Sequence, residues 1–257
     1  MYSVRVITRW HGNTQVHMLL LNLSITGLLI WKFGIDYFVI FCASALLHLI
    51  LETGLSISGI RKGEVYVYGR KLPRAADALL RALVEGPGFC VPAFFAADQI
   101  MAGNVGLGVG FPVVVIGLAS LHMGLADRRD VARLGPDEKP QMSRRAMTRP
   151  GAVMLLSLIN TGCLSALFLM PDPYRLHGFL YVISYALLVI LFYIFNYNLG
   201  VRMVQLYDAE TKTFTTPGPL FQAAGLAYDS AYEMALLISP AYWVTFYLGF
   251  FHYTTLT

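Results

Sequence analysis

Residues 37–60 read YFVIFCASALLHLILETGLSISGI, a run in which His48 and Glu52 are the only basic or acidic side chains. About 20 mostly apolar residues are enough to cross the hydrocarbon core of a bilayer as a helix. The few polar residues are not scattered. Ser44, His48, Glu52 and Ser56 recur every four residues, so on a helix they form one stripe and the remaining surface is apolar. This is a membrane helix with a polar inward face.

The rest of the chain has the same character. Its 257 residues are 56% hydrophobic and 13% charged, with a mean hydropathy of +0.59. A soluble domain carries about 25% charged residues. Here the charges are gathered into a few loops. The spacing of the apolar runs predicts one domain, residues 1–257, built as an all-α polytopic bundle of seven transmembrane helices. They are expected at 15–31, 37–60, 76–101, 105–126, 151–170, 178–204 and 221–251. Helices 3 and 7 are the least apolar and are expected to face inward.

Lysine and arginine test this layout. Sixteen of the nineteen fall in the N-terminal segment and in the loops 2–3, 4–5 and 6–7. The opposite side has Lys32 and Arg175, and Arg81 lies within helix 3. The positive-inside rule then places the N-terminus in the cytoplasm and the C-terminus outside. An integral protein of a prokaryotic inner (plasma) membrane is expected, with no cleavable export signal. Topology and anionic lipid account for the basic loops and the net charge of +4, so no nucleic-acid partner is implied. Loop 127–150 is expected to be partly disordered and residues 64–68 extended. Cys42, Cys90 and Cys163 show no ligand spacing and read as buried small hydrophobes.

Ionisable groups within a span are costly, at roughly 2.5–3.5 kcal/mol for a central charge, yet several are present. Helix 2 carries His48 and Glu52, helix 3 carries Arg81, Glu85 and Asp98, and helix 7 carries Asp229 and Glu233 beside Tyr228 and Tyr232. At 1.5 Å per residue, Glu52, Glu85 and Asp229 each lie roughly 12–14 Å from the cytoplasmic end. His48 and Glu233 lie about a turn deeper, and His17 enters from the same side. One polar chamber in the inner half of the bundle is expected, with Asp98 separate near the outer end. Structural polar packing between helices is the plainer reading of such groups. Against it, Ser, Thr and Asn could join helices at lower cost.

In order along the chain, Val16-His17, Ser44-Ala-Leu-Leu-His48, Arg81-Ala-Leu-Val-Glu85 and His177-Gly-Phe-Leu-Tyr181 resemble helices 1, 2, 3 and 6 of the heliorhodopsins. That family is an inverted branch of the microbial rhodopsins, and a cytoplasmic N-terminus fits it. The resemblance implies a seven-helix bundle and a counterion-like role for Glu85. The family's retinal is bound to a lysine of helix 7. Aligning its Ala-Tyr pair with Ala227-Tyr228 puts Leu236 there, and the chain's lysines are Lys32, Lys62, Lys71, Lys139 and Lys212. No covalently bound retinal is therefore expected, and no other cofactor. The segment His48-Leu-Ile-Leu-Glu52 also resembles the HxxxE of emopamil-binding-type isomerases. Membrane terpene cyclases similarly place carboxylic acids in a seven-helix bundle.

These observations point to a pocket for an apolar, isoprenoid-like small molecule. A carboxyl removed from water holds its proton to higher pH and can act as a general acid. Such a site suits an isomerase or terpenoid cyclase. The candidates for acid/base work are Glu85, Glu52, Asp229, His48 and Glu233. His17, Arg81, Tyr181, Tyr185, Tyr232 and Trp243 are candidates to line the ligand. A non-catalytic sensor or partner-binding subunit is the alternative. A metal site on the same carboxylates, and an ion path, are less favoured, so no metal ligands are assigned. Lipid is the expected environment, and a homodimer is allowed.

Overall fold

The structure, a computed structural model, describes residues 2–8, 12–57, 65–68, 70–132, 142–146, 150–237 and 239–248. Among them it is mostly helical. The helices are α1 (Gly12–Phe33), α2 (Asp36–Ile57), α3 (Arg74–Met101), α4 (Val105–Ala132), α5 (Pro150–Phe168), α6 (Tyr174–Asn198), α7 (Pro219–Leu237) and α8 (Ser239–Tyr247). Among the described residues, five segments are long and apolar enough to cross a membrane: Asn13–Phe33, Asp36–Gly54, Arg74–Met101, Val105–Ala126 and Tyr174–Asn198. Their outer faces carry Leu20, Leu28, Leu46, Ile50, Leu118 and Leu187, all exposed. Apolar surface on that scale suits lipid and not water.

Helix α3 is the hub and packs against α1, α2, α4 and α6. Its most apolar window is 67% buried inside the protein, against 17% for α1. The expectation that helix 3 faces inward therefore holds, and its low hydropathy has a physical cause. A helix surrounded by protein can carry charges that a lipid-facing helix cannot. The core around it is aromatic, with Tyr37, Phe94, Phe95, Tyr181, Tyr185, Phe192, Tyr193 and Tyr242.

Two prolines interrupt the hydrogen bonds of α3, Pro87 and Pro92. Pro87 has no N–H, so the carbonyl of Leu83 loses its helical donor. Asn22 of α1 supplies a replacement. Its Nδ2 lies 3.4 Å from Leu83 O and 2.9 Å from Val84 O, and donates to both.

Hydropathy does not reveal the strands. Strands β1 (Tyr2–Thr8), β4 (Met142–Ala146), β5 (Arg202–Asp208) and β6 (Thr213–Thr215) form one sheet in the order β4-β1-β5-β6. A second, two-stranded pairing joins β2 (Tyr66–Val67) and β3 (Arg70–Lys71). All neighbours are antiparallel. The strands come from the N-terminal segment and from the loops that carry most of the basic residues, so they sit at the basic end of the bundle.

Several expectations are corrected here. Residues 142–146 of the loop expected to be disordered form β4, while residues 133–141 and 147–149 lie outside the described residues. The sixth helix ends at Asn198 and not at 204. Gly200 has φ +77°, Gly200 N–H donates to Tyr197 O and Val201 N–H donates to Asn196 O. This closure satisfies the last carbonyls of the helix and turns the chain into β5. Of the helix expected over 221–251, the described residues show α7 to Leu237 and α8 from Ser239 to Tyr247, while residue 238 and residues 249–257 lie outside them. Cys90 is buried, but Cys42 is exposed and Cys163 intermediate, because both lie on outward faces of their helices.

Sheet and bundle are joined through Gln222 of α7. Its side-chain Nε2 donates to Val204 O at 2.6 Å, and its Oε1 accepts from Val204 N–H at 2.8 Å. The amide thus pairs with β5 as another strand would.

Candidate functional site

Helices α2 and α3 are in close contact at Gly86. A Cβ there would lie 2.8 Å from Ser44 O and 3.2 Å from His48 Cβ, a distance that real side chains do not accept. The missing side chain brings the His48 face of α2 against the Glu85 turn of α3. His48 and Glu52 stand one turn apart on α2 and are 3% and 2% exposed. His48 Nε2 is 3.4 Å from Glu85 Oε2 and 3.7 Å from Glu52 Oε1. These separations exceed the usual 2.7–3.2 Å of an N–H···O bond. Neither ring nitrogen of His48 has a hydrogen-bond partner among the described residues. The other oxygen of Glu85, Oε1, lies 3.5 Å from an Arg81 guanidinium nitrogen. Arg81 is held from the opposite side by Asp77, with Nε 3.0 Å from Oδ1.

The charges are therefore ordered along one path, from Asp77 through Arg81 and Glu85 to His48 and Glu52. Arg81 fixes the orientation of Glu85 and offsets part of its charge, so that Oε2 is turned towards the imidazole. One imidazole nitrogen facing two carboxylates can pass a proton between them or share a cation with them.

The other candidates are distributed differently. Asp229, Tyr232 and Glu233 lie on α7, but their side chains fall outside what is described. His17 is exposed. Its Nδ1 is 3.1 Å from His122 Nε2, and its Nε2 is 3.4 Å from the Tyr68 hydroxyl. Tyr185 packs against Phe89, with ring centroids 5.7 Å apart. Tyr181 is buried and stacks on Tyr242 at 5.3 Å. Trp243 packs against the aromatic core.

Tyr181 leads to a second cluster that reading the sequence missed. At the end opposite the sheet, Asp98 of α3 accepts a hydrogen bond from the Tyr37 hydroxyl of α2. His177 Nε2 of α6 lies 2.8 Å from Asp98 Oδ1, and His177 Nδ1 lies 2.8 Å from the Tyr242 hydroxyl of α8. That hydroxyl donates to Tyr174 O at 3.0 Å, so Nδ1 must be the donor to it. Asp98 and His177 then share one proton across the 2.8 Å contact. Gly178 makes room for the ring, since a Cβ there would meet Tyr242 Cε1 at 2.9 Å. The sequence separates Asp98 from His177 by 79 residues, and only the expectation that Asp98 stands apart from the inner acids anticipated it.

A cleft of about 200 Å³ opens between α6 and α7 and is lined by Ile190, Ile194, Tyr197, Gln222, Leu226 and their neighbours. It contains none of the inner-cluster residues. The fold and the inner cluster together define a helical membrane protein with a buried histidine–carboxylate group. Comparison with protein-family models, with curated proteins and with solved structures finds no match to this chain.

Proposed function

We propose that this chain is a seven-span protein of the prokaryotic inner membrane, with a cytoplasmic N-terminus and a heliorhodopsin-like arrangement. In it, α5 and the α7–α8 pair supply the spans beyond the five long apolar segments. Its inner cluster performs acid/base chemistry on an apolar, isoprenoid-like molecule, as an isomerase or terpenoid cyclase does. The observation that carries this reading is the buried His48 ring facing Glu85 and Glu52 from two helices. Glue between helices needs neither an ionisable ring nor two acids. In the reaction a carboxylic acid of the cluster adds its proton to one carbon of an alkene. A base of the cluster then removes a proton from a neighbouring carbon, and the double bond moves with no change in oxidation state. Asp229 and Glu233 of α7, Arg81, and the aromatic rings of Tyr181, Tyr185, Tyr232 and Trp243 belong to the same proposal as supporting groups, as does His17 at the cytoplasmic entrance.

Purified protein incubated in D2O with polyprenols and sterol precursors tests it. Deuterium should enter carbon positions of a substrate, and Glu85→Gln should slow this about 10²–10⁴-fold, the usual worth of general acid/base catalysis. No incorporation above a protein-free control would overturn the enzyme reading. The position of the α6–α7 cleft, lined by none of the inner-cluster residues, favours the second reading, a non-catalytic sensor or partner-binding subunit.

A further inference from the structure

We infer that His48, Glu52 and Glu85 form a binding site for one divalent first-row transition cation, such as zinc, manganese(II) or iron(II), between α2 and α3. The inference rests on the proposed function only in placing the chemistry at this cluster, and it requires no particular substrate.

Each of the three residues offers one donor atom, and these atoms lie within 4.8 Å of one another. Two of the separations are 3.4 and 3.7 Å. Donors about 2.0–2.2 Å from a common ion are roughly 2.9–3.6 Å apart at right-angled or tetrahedral positions. The cluster is therefore slightly wider than a filled site and closes by small carboxylate movements. The second observation is His48 itself. It is 3% exposed, and both ring nitrogens lack hydrogen-bond partners among the described residues. Nε2 points between the two carboxylates, where a neutral imidazole presents a lone pair. A buried polar atom without a partner is costly, and a cation at Nε2 removes that cost there.

The donor set selects the type of ion. One imidazole with two carboxylates suits zinc, manganese or iron, whereas magnesium and calcium take oxygen donors almost throughout. Arg81 acts as the positioning group. It lies 3.5 Å from Oε1 of Glu85, while Oε2 faces His48 Nε2 at 3.4 Å, as outer partners commonly orient metal-ligating carboxylates. The other histidine clusters are less suited. In the outer one, both His177 nitrogens are engaged by Asp98 and Tyr242. The exposed His17–His122 pair has its facing nitrogens 3.1 Å apart and groups with no carboxylate among the described residues.

The test uses the full chain in detergent, stripped with a chelator and loaded with Co²⁺ or Zn²⁺. Wild-type protein should bind one equivalent and give visible Co²⁺ d–d bands that Zn²⁺ abolishes. His48→Gln and Glu52→Gln should each weaken binding about 100-fold or more, beyond the 10–100-fold usual for outer-shell changes. A His122→Ala variant should bind as wild type does. A wild-type Co²⁺ spectrum without d–d bands would overturn the inference, whether or not the variants fold. Binding unchanged in a folded His48→Gln would do the same. The deuterium assay separates the two readings. Turnover by protein that binds no metal sinks only the metal site, and stoichiometric binding without turnover sinks only the enzyme.

Discussion

Asp98 shows how one residue can join four helices. It accepts from Tyr37 and shares a proton with His177, which in turn donates to Tyr242. Replacing Asp98 with Ala removes the acceptor of the Tyr37 hydroxyl and the partner of His177 Nε2. Thermal unfolding in detergent should show a loss of about 3–5 kcal/mol, as when one member of a buried pair is removed. Asp98→Asn should cost much less, because an amide oxygen still accepts from Tyr37 and an amide N–H can donate to a neutral Nε2. Equal losses in the two variants would show that the pair must be ionic. Asn22 has a comparable part nearer the basic end. Asn22→Ala would leave the Leu83 carbonyl, already deprived of its helical donor by Pro87, without Asn22 Nδ2, at about 1–3 kcal/mol.

Among the elements, the α2–α3 contact decides the geometry of the site, and Gly86 decides that contact. In Gly86→Ala the new methyl meets Ser44 O at 2.8 Å, so the helices must separate. Overpacking of this kind costs about 1–3 kcal/mol. The same separation should lengthen the 3.4 Å His48–Glu85 contact and reduce turnover or cation affinity by more than the stability loss accounts for. Activity falling only in step with folded fraction would separate the site from the contact. This pairing was partly legible in the sequence. The four-residue stripe on α2 and the depth of Glu85 on α3 place His48, Glu52 and Glu85 together, because both rest on helical period and rise. The sheet was not legible. Its strands are short, carry arginines and pair across more than a hundred residues, as Val4 does with Ala146. The end of α6 was missed because hydropathy runs on through Leu199-Gly200-Val201, whereas the stop depends on the backbone of Gly200. The Asp98–His177 pair joins α3 to α6 through a contact that no local period encodes.

The whole molecule, with its basic loops at one end, makes a prediction about orientation. A cysteine at Asp172, on the side poor in Lys and Arg, should react with a membrane-impermeant maleimide in intact cells. One at Thr211, in the β5–β6 turn, should react only after permeabilisation. The reverse pattern would invert the topology. With Leu236 at the expected pigment position, added all-trans retinal should give no hydroxylamine-sensitive visible band. Such a band would mean that another amine forms the Schiff base.

The sheet order also governs how the protein is made. Strand β1 lies between β4 and β5, yet it leaves the ribosome long before either of them. Until residues 142–146 and then 202–208 have been synthesised, β1 has both edges open. Insertion of α1 to α4 precedes the first pairing, and that of α5 and α6 precedes the second. The strand thus works as a late latch, closing over a bundle already in the membrane. An extra segment that shields β1 during translation should leave insertion intact and delay acquisition of protease resistance at the basic end.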